Sequence, residues 1–351
     1  MKGCTWWRHT GIEMEKTLLF RNLVCLGIMG LAPLSAQTPI FMSAGYTTPT
    51  PIQVAPGQVI TLYISGTKTV LPSQSPSIRA TTIPLPKTLG GFSVTVRQGN
   101  NTYAAPLLSV VQTPNCTDAN RSLPQCIITG LTLQIPFDIT PMLSTLQMAG
   151  QPPGDLSVND NGTESAHFPI APLMDSIHIL TVCDQLNIGP LLPSPCNAIV
   201  THADGTMVSG FSPAKPGETV VLYAYGLGQT APAVKTGDAT PTPAPVLLNG
   251  HTVTVQFDFR PNAGPAFPYI NPLIMAPFIP GAIFAGLTPG QVGLYQINVR
   301  IPDTVPSVPA CTQSFSCLGS WFQCVIQSNL TIDIGGVSSF DGAAICVQPP
   351  Q

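Results

Sequence analysis

The stretch "KPGETVVLYAYGLG", residues 215–228, has a near-copy in "APGQVITLYISG", residues 55–66. Pro56, Gly57, Leu62, Tyr63 and Gly66 stand 160 positions before Pro216, Gly217, Leu222, Tyr223 and Gly226. In both, apolar residues recur every second position, which is the period of a β-strand with one buried face. Ile60, Leu62 and Ile64 fall on one face, as do Val220, Leu222 and Ala224, and the tyrosines fall on the other. The Pro-Gly before each strand suits the centre of a type II turn, where glycine takes the positive φ.

The correspondence continues outward from this pair. "FSVTVRQG" at 92–99 matches "HTVTVQFD" at 251–258, and "LTLQIPF" at 131–137 matches "GLYQINV" at 293–299, which aligns Gln134 with Gln296. "LSVNDNGTES" at 156–165 matches "LTIDIGGVSS" at 330–339, with Asn161-Gly162 and Gly335-Gly336 where a two-residue hairpin turn wants positive φ. Four matched elements in one order predict two domains, 37–174 and 175–351, separated near "APLMD". Short alternating strands, frequent turn signals and no convincing helix predict an all-β fold of two tandem immunoglobulin-like β-sandwiches.

Composition points the same way. Thirty-nine prolines in 351 residues interrupt helices too often for a helical protein. A hydrophobic content of 44% argues against disorder. Lys16 and Arg21 precede the apolar run 23–34, and "PLSAQ" follows, so residues 1–36 read as a signal peptide with an N-terminal extension, cleaved after Ala36. The expected location is extracellular or at the cell surface, with no membrane span in the mature chain. The leader removes four of 13 Lys/Arg and two of 16 Asp/Glu, so nine cations face fourteen acids, a net charge of −5. No basic run remains, which excludes nucleic acid as a partner class.

Eight cysteines stay in the mature chain, an even number that predicts disulfides in an exported protein. Cys116–Cys126 and Cys183–Cys196 each close a short loop. Cys311, Cys317, Cys324 and Cys346 admit three pairings, of which Cys311–Cys317 with Cys324–Cys346 is the expected one. No C-x-x-C occurs to suggest a zinc ribbon or a thioredoxin-like site.

"AKPGETVVLYAYGLGQT" (214–230), "IFAGLTPGQVGLYQINVRIP" (283–302) and "NLTIDIGGVSSFDGAAICV" (329–347), in that order, resemble the C-terminal domain shared by many exported proteins of soil acidobacteria. The resemblance is strongest over 196–348 and extends through "VAPGQVITLYISG" into the first half. The transcription-factor-like immunoglobulin (IPT/TIG) domains share the Pro-Gly-strand opening more distantly. The resemblance implies export, tandem sandwiches and no assigned activity, and it transfers no catalytic residue.

Motifs for chemistry are sparse. "SGFSPA" at 209–214 lacks the second glycine of a nucleophile elbow, and H-E-x-x-H is absent. His167, His178, His202 and His251 are scattered and read as ordinary surface or sheet histidines. Asp155, Asn159, Asp160, Asn161 and Glu164 form an oxygen-rich cluster whose Asp155, Asn159, Asp160 and Glu164 are candidate calcium ligands. The interval between Arg260 and Arg300 holds no charged residue and seven prolines. Within it Phe267, Tyr269 and Phe278 are candidate ligand-binding aromatics, if the stretch is exposed rather than laid over the core. These features predict a non-catalytic exported protein acting in adhesion, matrix or surface recognition. Its expected partner is an extracellular polymer or protein surface, and no cofactor is implied. A carbohydrate-binding module, or a secreted hydrolase with its site at the domain junction, is the alternative.

Overall fold

The computed structural model describes residues 39–42, 51–72, 77–114, 116, 126–142, 154–181, 184, 198–248, 253–261, 280–305, 311, 315–317, 322–324, 326–335, 337–339 and 343–348. The described residues are almost entirely β. In the first half, one antiparallel sheet runs in the order Pro39–Met42, Val59–Ser65, Ile127–Gln134, Leu107–Pro114, Ser77–Arg79. A second runs Ile52–Val54, Thr163–Pro172, Gly154–Asp160, Phe92–Gln98, Thr88–Leu89, with Asn101–Ala105 also paired to Phe92–Gln98. Ile60, Leu62, Ile64, Leu131 and Leu133 of one sheet share a core with Phe92, Val94, Leu156, Val158 and Phe168 of the other. Two sheets closing over one apolar layer make a β-sandwich.

The second half builds its own core. A seven-stranded sheet runs His178–Ile179, Thr219–Tyr225, Tyr295–Arg300, Ala282–Leu287, Val246–Leu247, Thr230–Ala231, with Val200–His202 also on Thr219–Tyr225. Opposite it, Val253–Pro261 pairs with Ile326–Ile334, which also carries Val337–Ser338 and Ala343–Ile345. Val220, Leu222, Ala224, Tyr295 and Ile297 meet Val255, Phe257, Leu330 and Ile332 in that core.

The two Pro-Gly turns match bond for bond. Gly57 and Gly217 have φ of +75° and +77°. Gly57 N donates to Ile135 O and Gly217 N to Ile301 O, each at 3.1 Å, while Ile135 N and Ile301 N return to Gln58 O and Glu218 O. Gln58 Oε1 accepts the Ala55 amide and Glu218 Oε2 the Lys215 amide, each at 2.8 Å. The hairpin at Asn161-Gly162 has φ of +48° and +84°, as a primed two-residue turn requires.

Two expectations are corrected. Gln134 and Gln296 do not occupy matching places: Gln134 faces Val59, and Gln296 faces Tyr223. The residue facing Thr219 is Arg300, so the pair that corresponds is Leu133-Gln134-Ile135-Pro136 with Val299-Arg300-Ile301-Pro302. Register is set by which amides meet, and the shared Ile-Pro exit marks it better than the shared glutamine.

The second correction concerns disulfides. Cys116–Cys126 forms, but Cys311 bonds Cys346 rather than Cys317. The cause is topological. Cys317 and Cys324 leave together on the Phe315–Cys317 and Phe322–Cys324 hairpin. Ala343–Ile345 meanwhile returns beside Ile326–Ile334, and Val347 bridges Ala214, which holds the tail where Cys346 meets Cys311. Cys183 and Cys196 lie outside the described residues.

Candidate functional site

A polar seam joins the two cores. Gln58 Nε2 donates to Ser176 O at 2.9 Å, so the residue that closes the first Pro-Gly turn also reaches the second half. Gln134, fully buried, accepts the Gly237 amide at 2.7 Å and donates to Gly57 O at 3.3 Å. Leu85 N donates to Gly237 O, and Phe137 N donates to Thr236 Oγ1 at 2.9 Å. A buried amide satisfied on both ends fixes the groups it bridges, because breaking either bond strands a polar group away from water.

Tyr63 is buried over Gly130, where a Cβ would stand 2.9 Å from its ring. Burial, reinforced by the Asp184 carboxylate, pushes its hydroxyl up to about 12. Tyr225 is pushed up to about 12 by the same two causes. Asp184 also accepts the Thr181 amide at 2.8 Å and lies 3.1 Å from His178 Nε2.

An apolar cavity of about 310 Å³ opens beside the seam, lined by Phe137 from the first half and by Gln229 to Val234 and Leu248 from the second. Phe137 is held in place from below: its ring lies where a Cβ on Gly57 would stand, 2.1 Å from Cε1. Gly57 is therefore required twice, by its positive φ and by this ring. On the far wall a cis peptide precedes Pro232.

The oxygen-rich stretch 155–164 splits: Asp155 and Glu164 flank His167, and Asp160 goes elsewhere. Alternation along Gly154–Asp160 sends Asp160 to the core side, where it is buried and accepts Lys68 N at 2.6 Å, Thr69 N at 3.2 Å and the Thr69 hydroxyl. Asp155 instead contacts His167 Nδ1 at 2.7 Å, and Glu164 takes Arg97 at 2.9 Å. A hydrogen bond from Ser157, with the Arg97 and His167 charges, holds Glu164 below its usual range despite slight burial. Asn159 accepts the Gly162 amide, closing the hairpin. Among the described residues no three His, Cys, Asp or Glu side chains form a metal-holding group. Phe267, Tyr269 and Phe278 lie outside the described residues.

One constellation was missed by motif reading. His202 ends the Val200–His202 strand, and Asp204-Gly205 turns the chain back behind it. Its Nδ1 lies 2.5 Å from Glu218 Oε1, and its Nε2 lies 3.1 Å from Ser212 Oγ and 3.2 Å from Ser212 O. The Glu218 hydrogen bond raises the imidazole above its ordinary value, against slight burial. Glu218 is pushed up by burial, but the His202 and Lys215 hydrogen bonds outweigh this and hold it below the usual carboxylate range. Glu218 occupies the place that Gln58 holds in the other turn. A charged residue there, where the first half has an amide, is the sequence signal that could have pointed to this site.

Comparison with known proteins adds little. No family model and no curated protein matches the chain. Among solved structures, a type I pullulanase from Bacillus subtilis str. 168, complexed with maltose, is 8% identical, with a TM-score of 0.16. The match covers 85% of this chain and 26% of that one, and at that similarity it bears on neither fold nor function.

Proposed function

We propose that the protein is an exported recognition protein whose two immunoglobulin-like sandwiches are copies of one module, joined rigidly so that their junction presents a binding surface. The supporting observation is the apolar cavity that needs both halves, with Phe137 on one wall and residues 229–234 on the other. A surface organised before contact loses less freedom on binding, and the buried Gln134 and Gln58 bonds supply that organisation. About 310 Å³ is near the lower limit of ligand-sized pockets, so it fits one ring or short aliphatic group projecting from a larger partner. Such a group on an extracellular polymer or protein surface is the expected ligand. The reading calls on no cofactor.

The test is retention of purified protein on insoluble polysaccharides and on immobilised extracellular proteins, compared with Ala233→Trp. Ala233 is exposed on the cavity rim, so the indole fills the space without disturbing a core. Retention that Ala233→Trp abolishes supports the reading. Absence of retention on every surface, or retention that Ala233→Trp leaves intact, ends it. If intact retention is then lost when Phe267, Tyr269 and Phe278 become alanine, the site moves to the carbohydrate-binding alternative.

A further inference from the structure

We propose that Ser212 is an activated nucleophile that accepts acyl groups from esters, with His202 as its base and Glu218 as the carboxylate that positions the base. The proposal stands apart from the recognition reading and uses none of the residues that line the cavity. Ser212 Oγ lies 3.1 Å from His202 Nε2, and His202 Nδ1 lies 2.5 Å from Glu218 Oε1. The second Glu218 oxygen is fixed by the Lys215 amide at 2.8 Å, so the positioning group is itself positioned. A nucleophile within reach of a base, and a base oriented by a third group, is the arrangement that activates a serine. With Nδ1–H donating to the carboxylate, the neutral imidazole turns its Nε2 lone pair toward the hydroxyl.

The surroundings indicate the substrate class. Phe211, beside the serine, is wholly exposed, and Met207 is 45% exposed where it bridges Thr201. A bare phenylalanine on a two-residue turn packs against none of the described residues, and it sets an apolar side chain directly beside the nucleophile in the chain. An ester with an apolar acyl group fits it. The Ser209 and Ser212 main chains bond each other across the turn, and among the described residues the amides of Gly210 and Phe211 between them donate to no acceptor. They are free to meet a carbonyl oxygen as it gains charge.

The step balances with water as the only co-reactant. Ser212 Oγ bonds to the ester carbonyl carbon, its proton passes to His202 Nε2, and the carbonyl pair moves to oxygen. Collapse expels the alcohol, which takes the proton from Nε2 and leaves acyl-Ser212. Water, deprotonated by the same nitrogen, attacks the acyl carbon, releases the carboxylic acid and restores the hydroxyl. Once protonated, Nε2 finds a second acceptor in Ser212 O at 3.2 Å, while Glu218 and Asp204 supply negative charge near the ring and Lys215 acts on Glu218 through both its amide and its positive charge.

The test is labelling of the purified protein with a fluorophosphonate probe, with the modified residue located by peptide mass mapping. Hydrolysis of 4-nitrophenyl acetate and butyrate is measured alongside. His167→Gln controls for the background hydrolysis that any exposed imidazole provides, and it leaves the rates unchanged. The label is expected on Ser212 and absent from Ser212→Ala. His202→Gln is expected to slow labelling and hydrolysis by about 10²–10⁴-fold, in the range of general-base effects. Glu218→Gln is expected to slow them less, and Phe211→Ala to remove a preference for butyrate. Should His202→Gln disturb the turn, the pH dependence of wild-type labelling decides: a rise centred above the ordinary imidazole value supports the proposal, and a flat profile overturns it. No label at Ser212, or a labelling rate indifferent to His202→Gln in a folded variant, also overturns it.

Discussion

Replacing Asp160 by alanine separates a structural carboxylate from a metal ligand. Asp160 is 2% exposed and receives three donors from the 68–69 segment: the Lys68 and Thr69 amides and the Thr69 hydroxyl. Each hydrogen bond to a charged group contributes about 1.5–3 kcal/mol net. The Thr69 hydroxyl, which also accepts from Asn161 Nδ2 at an exposed position, loses its acceptor but can donate to water instead, so the loss falls mainly on the two amides. Lys68 is exposed, and water reaches its amide in the variant, which puts that bond at the low end. The expected destabilisation is about 3–4.5 kcal/mol for Asp160→Ala. Asp160→Asn, which keeps one acceptor oxygen but turns an NH₂ toward a donor, should lose about half of that. Urea unfolding followed by circular dichroism measures the change, and amide hydrogen exchange at Lys68 and Thr69 locates it. Calcium or a chelator should leave the wild-type midpoint unmoved. A loss under about 0.5 kcal/mol, the usual range for unremarkable surface changes, with unaltered exchange would refute the reasoning. So would calcium raising the midpoint of wild type but not of the variant, since a ligand that binds only the folded state must stabilise it.

Further outcomes follow from other contacts. Gly226 and Gly162 have φ of +78° and +84°, but a Cβ at 226 would lie 2.1 Å from Ser176 O and one at 162 would meet nothing. Gly162→Ala should therefore cost about 1–2 kcal/mol for the left-handed backbone alone, and Gly226→Ala clearly more, as read by thermal unfolding. His202 has its folded value raised, so its contribution is complete below the unfolded imidazole value and is lost as pH rises past the folded one. Glu218 has its value lowered, so its share is complete above the unfolded carboxylate value and fades as pH falls through the folded one. The stability difference between wild type and His202→Gln should peak between those limits; urea midpoints from acid to alkaline pH test this, and a difference that grows in alkali contradicts it. Removing the Cys311–Cys346 bridge by double serine substitution frees a separation of 35 residues, for which the loop-entropy relation gives about 4 kcal/mol. Equal midpoints with and without the bridge would contradict that.

What was legible in the sequence was local. The alternation Ile60, Leu62, Ile64 needs only the two-residue period of a strand, and those residues line a core. Pro-Gly and Asn-Gly name their turns through φ alone, and both turns form. What depended on partners far along the chain was not legible. Gln134 looks equivalent to Gln296 until the facing strand sets the count. Cys311 looks paired with its neighbour until the returning tail is placed. Asp155 and Asp160 look like one oxygen cluster until strand alternation sends them to opposite faces. His202, Ser212 and Glu218 come from a strand end and two separate turns, an arrangement that no consecutive motif encodes.

Phe137 comes after the last strand residue of its sheet, yet its ring packs against the core of the second half and covers Gly57 of the first. Severing the chain between 172 and 176 would leave that ring facing solvent on one fragment and a bare depression on the other. Fragments expressed apart are therefore poor stand-ins for the intact molecule, and any attempt to transplant one half should carry Phe137 and the 229–237 loop as a pair.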